Sequence, residues 1–122
     1  MKASVVLVIE NDKILAVSRK TDPDSWSLPG GKTEEGETEI VTAAREFVEE
    51  TGRHVANLRL IGVHQNGEFE VSLFSGELIG DIVPHENEDG CQVNWLEPKA
   101  FSKGVFEEYN KAVLENYLNI AA

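Results

Sequence analysis

An α/β sandwich is the fold class this sequence predicts, and three observations predict it. The pattern along the chain runs strands, one amphipathic helix, strands, and a second amphipathic helix. That order in one unit packs helices against a sheet. The chain has 122 residues and no visible linker, repeat or low-complexity stretch, so one domain over residues 1–122 with one hydrophobic core is expected. The hydrophobic fraction of 41% is ordinary for a globular protein, which leaves that core enough to bury.

The elements follow in order. Ala3 to Ile9 is rich in β-branched residues and reads as a buried strand, and Asn11-Asp12 reads as a turn. Lys13 to Arg19 is then a second strand, paired with the first as a hairpin. Thr21 to Ser25 carries loop residues, Trp26 to Leu28 is a short segment, and Pro29-Gly30-Gly31 is a turn where the backbone approaches a ligand closely. A helix is expected through Thr38 to Thr51, with Thr38 as N-cap, Glu39 at the positive end of the dipole and Gly52 at C′. Ile40, Ala44, Phe47 and Val48 form its packed face, with the acidic face opposite. Val55 to Gln65 and Glu68 to Leu78 read as strands joined at Asn66-Gly67. Residues 79–91 form a polar loop, Gln92 to Leu96 one more strand, and Val105 to Ile120 a C-terminal helix with one apolar face. Trp26 and Trp95 are expected in the core.

The acidic face of the first helix is the informative part. Glu46, Glu49 and Glu50 stand at i, i+3 and i+4, so three carboxylates share one face. Glu49 and Glu50 fall in the last turn, where the macrodipole disfavours anions, and like charges at this spacing cost about 0.2–0.5 kcal/mol per pair. Mg²⁺ or Mn²⁺, which prefer carboxylate, carbonyl and water oxygens, would remove that repulsion and keep positions open for phosphate oxygens.

Charge narrows the function classes. A formal net charge of −11 argues against non-specific binding to nucleic acid, which depends on Lys and Arg. A polyanionic substrate meeting this surface needs a metal between the two. No apolar run is long enough to span a bilayer and no signal peptide is read, so no membrane partner is expected. The single Cys91 makes no internal disulfide, which fits a cytoplasmic location, and it has no companion to activate it as a nucleophile. His54, His64 and His85 have no spacing that suggests zinc.

The residues Gly31, Glu37, Arg45, Glu46, Glu49, Glu50 and Gly52 spell Gly-x5-Glu-x7-Arg-Glu-U-x-Glu-Glu-x-Gly-U, with Phe47 at the first apolar position U. This resembles the box of the Nudix (MutT-like) hydrolases, and Trp26-Ser27-Leu28-Pro29-Gly30-Gly31 resembles the family's lead-in. The last U is Arg53, a departure whose packing role falls to Val55. The resemblance implies a mixed β-sheet with the box helix carrying the catalytic groups. It implies metal ligation by Glu46, Glu49, Glu50 and the Gly31 carbonyl, and a pair between Arg45 and Glu37 that braces the loop and orients Glu46. Several family members carry a further carboxylate in the loop before the last strand, and Glu88 is the choice among Glu86, Glu88 and Asp89 here. Arg19 and Lys20, at a strand end, are candidates for the substrate phosphate or base.

The activity implied is Mg²⁺-dependent hydrolysis of a nucleoside diphosphate linked to a second group, with Mn²⁺ able to substitute. Family subsets acting on ADP-ribose or dinucleoside polyphosphates carry a Pro or Tyr marker downstream of the box. The matching stretch here, Glu68 to Val71, reads Glu-Phe-Glu-Val. The chain therefore resembles the MutT-like nucleoside triphosphate pyrophosphohydrolases. The alternatives are a nucleotide-sugar or dinucleoside polyphosphate hydrolase, and a non-catalytic nucleotide-binding module. Small members are often homodimers, so self-association is open.

Overall fold

The β-branched and apolar runs of this chain form two sheets, and the way they divide the strands positions everything else. The computed structural model describes residues 1–18, 24–81, 92–101 and 110–114. The first sheet contains β1 (Lys2–Leu7), β5 (Gly30–Lys32), β6 (His54–Asn66) and β7 (Phe69–Ile79) in the order β5-β1-β7-β6. It is mixed: β1 runs parallel to β7 from Lys2↔Glu70 to Leu7↔Ser75, and its other neighbours are antiparallel. The second sheet is antiparallel. In it β3 (Lys13–Ser18) pairs with β2 (Ile9–Glu10) near its start, β4 (Trp26–Ser27) near its end, and β8 (Val93–Leu96) along Ile14 to Val17.

The expected hairpin between the first two strands needs correction. Only Ile9 and Glu10 fold back on Lys13 and Ile14, through an Asn11-Asp12 turn whose residues have φ of 52° and 62°. Positive φ at both central residues is what a tight hairpin requires, and Asn and Asp tolerate it. The rest of the first strand belongs to the other sheet. The reason is burial on both faces: Val6 and Val8 pack with Phe74, Ala43 and Phe47, whereas Leu7 packs with Ile14, Leu28, Leu73 and Phe101. A strand covered on both sides suits parallel pairing in a sheet's interior. The β6–β7 hairpin forms, but its two-residue turn is Gly67-Glu68 rather than the expected Asn66-Gly67: Asn66 pairs with Phe69 in the ladder, and Gly67 (φ 60°) supplies the positive φ.

Helix α1 spans Glu39–Thr51. Thr38 caps it, accepting from the Val41 N–H at 3.4 Å, and Gly52 ends it in the left-handed conformation with its N–H donating to the Val48 carbonyl at 2.9 Å. Its inward face differs from the expected one. Ala43 and Phe47 are fully buried with Thr42 and Thr51, whereas Ile40 is 46% exposed. Residues 43, 46, 47 and 50 are i, i+3, i+4 and i+7, so the stripe that seats Phe47 also carries Glu46 and Glu50 to the margin of the buried face. Truncating Phe47 to Ala would cost about 3–5 kcal/mol. Val55, after the atypical Arg53, packs on the Phe47 cluster, as do Trp95 and Leu58, whereas Trp26 packs on the Leu7 cluster.

After β8 a short helix, α2 (Pro98–Phe101), follows. Residues 110–114 are helical and bring Val113 and Leu114 into the Leu7 cluster, within the span expected for the C-terminal helix. Residues 102–109 and 115–122 of that span lie outside the described residues. Among the described residues no helix is long and apolar enough to cross a membrane.

Candidate active site

Strand β5 brings the glycine turn under the acidic helix. Gly31 pairs with Ser4, and Gly30 with Val5. Each glycine is required for a different reason. A Cβ on Gly30 would strike the Ser4 carbonyl oxygen and approach Val5 Cα at 2.7 Å, so backbone fills that space. A Cβ on Gly31 would lie 2.7 Å from both carboxylate oxygens of Glu46, so an acid of α1 fills that one. The Gly30 N–H donates to Glu50 Oε1 at 2.6 Å, which ties the last turn of α1 to the same strand.

Arg45 gathers the remaining acids. Its Nε donates to Glu37 Oε2 at 2.7 Å and its Nη2 to Glu37 Oε1 at 2.9 Å, a bidentate pair of the kind only a planar guanidinium makes. Nη1 turns the other way, to Glu46 Oε1 at 2.9 Å and to the Glu49 carboxylate at 3.2 and 3.3 Å. Nη2 also reaches the Lys32 carbonyl of β5 at 3.3 Å. Glu37 is held independently by the Glu34 N–H at 2.9 Å and by the Thr42 hydroxyl at 3.1 Å. The electrostatics follow from these contacts. The Arg45 guanidinium, with the Glu34 amide behind it, lowers the Glu37 carboxyl to about 2. Glu46 moves the other way: burial against β5 raises it, and Arg45 offsets that only in part. Arg45 itself is held more firmly protonated by Glu37.

The like-charge repulsion expected along this face is therefore largely met by Arg45 in the chain alone. Consistent with that, no group of three His, Cys, Asp or Glu side chains among the described residues is gathered closely enough to hold a metal ion. The donor set nevertheless fits a hard divalent cation. Glu46, Glu49 and Glu50 offer carboxylate oxygens along the helix face beside β5, the strand that carries the Gly31 carbonyl. Those four are the groups that would hold the ion, with side-chain rotation of the glutamates.

Glu88, Arg19 and Lys20 lie outside the described residues, as do Glu86, His85, Asp89 and Cys91. His64 is half-buried on β6, and burial lowers its pKa. A cavity of about 360 Å³ opens beside Ile9, Asn57, Arg59, Ser75 and Glu77, and none of the box residues lines it. Sequence reasoning missed three supports of the site. The Thr42 hydroxyl and the Glu34 amide brace Glu37, and a polar residue five positions past a loop acid was the available hint for the first. Asn110, fully buried, donates from Nδ2 to the Trp26 carbonyl at 3.0 Å and the Phe101 carbonyl at 2.8 Å, and so fastens the strand that leads into the glycine turn. Its signal was a polar side chain on the stripe that carries Val113 and Leu114.

Comparison with known proteins bears on the whole of this arrangement. A family model described as the NUDIX domain matches residues 1–117. A Bacillus subtilis protein whose name proposes 8-oxo-dGTP diphosphatase activity is 37% identical over 98 residues, covering 79% of this chain and 65% of that protein. A MutT-like protein of Streptomyces ambofaciens is 34% identical over 112 residues, covering 90% of this chain and 71% of its own length. This chain thus spans about two-thirds of the length of these relatives. Among solved structures, a MutT protein of Bacillus halodurans superposes with a TM-score of 0.70 at 24% identity, over 95% of this chain and 83% of that one, a likeness of fold. A domain signature that runs across nearly all of the sequence, over a box helix seated on the glycine strand it needs, makes this chain a member of the Nudix family.

Proposed function

We propose that this chain hydrolyses a nucleoside triphosphate to the nucleoside monophosphate and pyrophosphate, with Mg²⁺ as cofactor and Mn²⁺ as its substitute. The observation that carries this reading is the meeting of Glu46 and Glu50 with the Gly30-Gly31 strand, with Glu49 joined to Glu46 through Arg45 and Glu37 bracing Arg45 from the side. A bound divalent ion supplies charge neutralisation for the phosphates and lowers the pKa of a water. The chain's own residues do the rest. Gly31, lacking a side chain, leaves the Glu46 carboxylate room at the strand. Glu37 holds Arg45, and Arg45 orients Glu46. The Gly30 amide fixes Glu50. A carboxylate of this group, or Glu88 of the loop, accepts the proton of the attacking water. Arg19 and Lys20 are proposed to meet the substrate.

Substrate class comes from the relatives. The names borne by the Bacillus subtilis and Streptomyces ambofaciens proteins make 8-oxo-dGTP and the common (d)NTPs the first compounds to test. A cytoplasmic location belongs to this reading, and a single Cys91 that makes no internal disulfide is compatible with it. The test is a panel of nucleoside triphosphates, nucleotide sugars and dinucleoside polyphosphates with Mg²⁺, scored for pyrophosphate and orthophosphate. Reaction in ¹⁸O-labelled water then locates the attacked phosphorus. Pyrophosphate with label in one of the two products supports the reading. Orthophosphate as the first product, or turnover that persists undiminished in excess chelator, refutes it.

A further inference from the structure

We propose that Arg45 is the internal cation of the metal-free site, and that a divalent metal enters by taking Glu46 and Glu49 from its Nη1 while Glu37 keeps Nε and Nη2. The inference rests on the metal-binding reading above and adds a competitor to it. The guanidinium is divided between two sets of acids. On one side Glu37 receives Nε and Nη2 at 2.7 and 2.9 Å, is 13% exposed, and is itself pinned by the Glu34 amide and the Thr42 hydroxyl. On the other side Nη1 alone serves Glu46 at 2.9 Å and Glu49 at 3.2 Å, with the Glu34 carboxylate farther off at 3.7 Å; Glu46 is 20% exposed and Glu49 55%. The first set is short, bidentate and shielded. In the second, the Glu49 contact is longer and wet and the Glu46 contact, though short, draws on the same single nitrogen, so this is the set that yields.

Two of the ligands a metal needs are thus in use before it arrives. A single guanidinium charge already engaged by Glu37 is a weaker partner for Glu46 and Glu49 than a divalent ion that can bind both at close range. Displacement does not release the arginine, because its anchor on Glu37 lies in the loop before α1 and not on the acidic face. Arg45 is therefore a positioning residue that holds the loop before α1 through Glu37 and β5 through the Lys32 carbonyl, and at the same time weakens metal binding. Affinity for metal and rate of turnover should then respond to its removal in opposite directions.

Mn²⁺ binding to the full chain, followed by loss of the free-ion EPR signal, tests this on Arg45→Gln, Glu49→Gln and the unsubstituted protein. Two part-exposed ion pairs no longer need to be broken in Arg45→Gln, so it should bind Mn²⁺ about 2- to 30-fold more tightly while turning over substrate more slowly. Equal or weaker binding by Arg45→Gln overturns the proposal. Undiminished Mn²⁺ binding in Glu49→Gln would instead sink the metal-site reading beneath it. A measurement on the unsubstituted chain guards against misfolding of the variant. In a ¹⁵N NMR titration with Mg²⁺, the Arg45 Nε–H signal should hold its place while the Nη1 hydrogens gain rotational freedom and exchange faster. Nη1 signals that stay unchanged at saturating Mg²⁺, or loss of the Nε–H signal with them, overturn it as well.

Discussion

Replacing Gly31 by Ala isolates the position of one carboxylate from everything else at the site. The new Cβ would strike the Glu46 carboxyl carbon and stand 2.7 Å from both its oxygens, where ordinary contact begins near 3.4 Å, so the carboxylate must retreat by about 1 Å. The atoms in the way are the far end of a flexible side chain, and the retreat is a rotation of Glu46 that also loosens its 2.9 Å bond from Arg45 Nη1. The fold has little to lose, since β5 keeps its pairing with Ser4 and the Gly31 carbonyl stays in place. Stability should change by no more than about 1 kcal/mol. Turnover should fall further, because a displacement approaching 1 Å at a reacting group costs on the order of 10- to 100-fold. Gly30→Ala is the control. Its Cβ meets backbone of β1, which cannot rotate away, so it should lower Tm sharply by prising β5 from β1. The assay is kcat on the best triphosphate at saturating Mg²⁺ beside a thermal melt of each preparation. Wild-type turnover in Gly31→Ala would refute the view that the position of Glu46 matters, and a Tm as low as that of Gly30→Ala would refute the claim that the Gly31 clash is confined to a side chain.

Glu49→Gln should leave stability within about 0.5 kcal/mol, since the exposed carboxylate meets Arg45 only at the shared Nη1, while abolishing most of the turnover; an unchanged rate would remove Glu49 from the metal ligands. Glu50→Ala should cost both, because the Gly30 N–H loses its acceptor at about 1–3 kcal/mol, whereas Glu50→Gln keeps an acceptor and should fold normally with little activity; equal melts for the two variants would contradict the bond. Arg45→Lys should recover part of the stability lost in Arg45→Ala and little of the rate, and full recovery of rate would show that the planar fork on Glu37 is unnecessary. Stability in chelator should also depend on acid in a defined way. Glu37 titrates at about 2 in the folded chain against 4.5 for the ordinary carboxyl, so its contribution is present above pH 4.5 and is lost as pH falls toward 2. Denaturant melts of Glu37→Gln across that window should show a flatter acid limb than those of the unsubstituted chain, and parallel limbs would deny the shift.

Local chemistry made much of this protein legible before any coordinates. Caps are short-range, so Thr38, Gly52 and the spacing of Glu46, Glu49 and Glu50 marked the box helix, and Asn11-Asp12 and Asn66-Gly67 marked the turns. The box itself, with its glycine strand and its Arg45–Glu37 pair, was readable because each residue type there is demanded by chemistry within a few positions along the chain or by recurrence of the family's pattern. What only the tertiary structure decided is how those pieces face one another. Nothing near Ala3 to Ile9 says that this strand leaves its neighbour in sequence to lie parallel to β7, because burial on both faces depends on residues some seventy positions away. The helix's inward face was misread for the same reason: Ile40 and Ala43 are equally apolar choices by periodicity, and it is the fit of Phe47 against Val6 and Phe74 that selects Ala43. That rotation turns Glu46 toward Gly31 and Glu50 toward Gly30, so the same packing that stabilises the helix aims its acids at the strand.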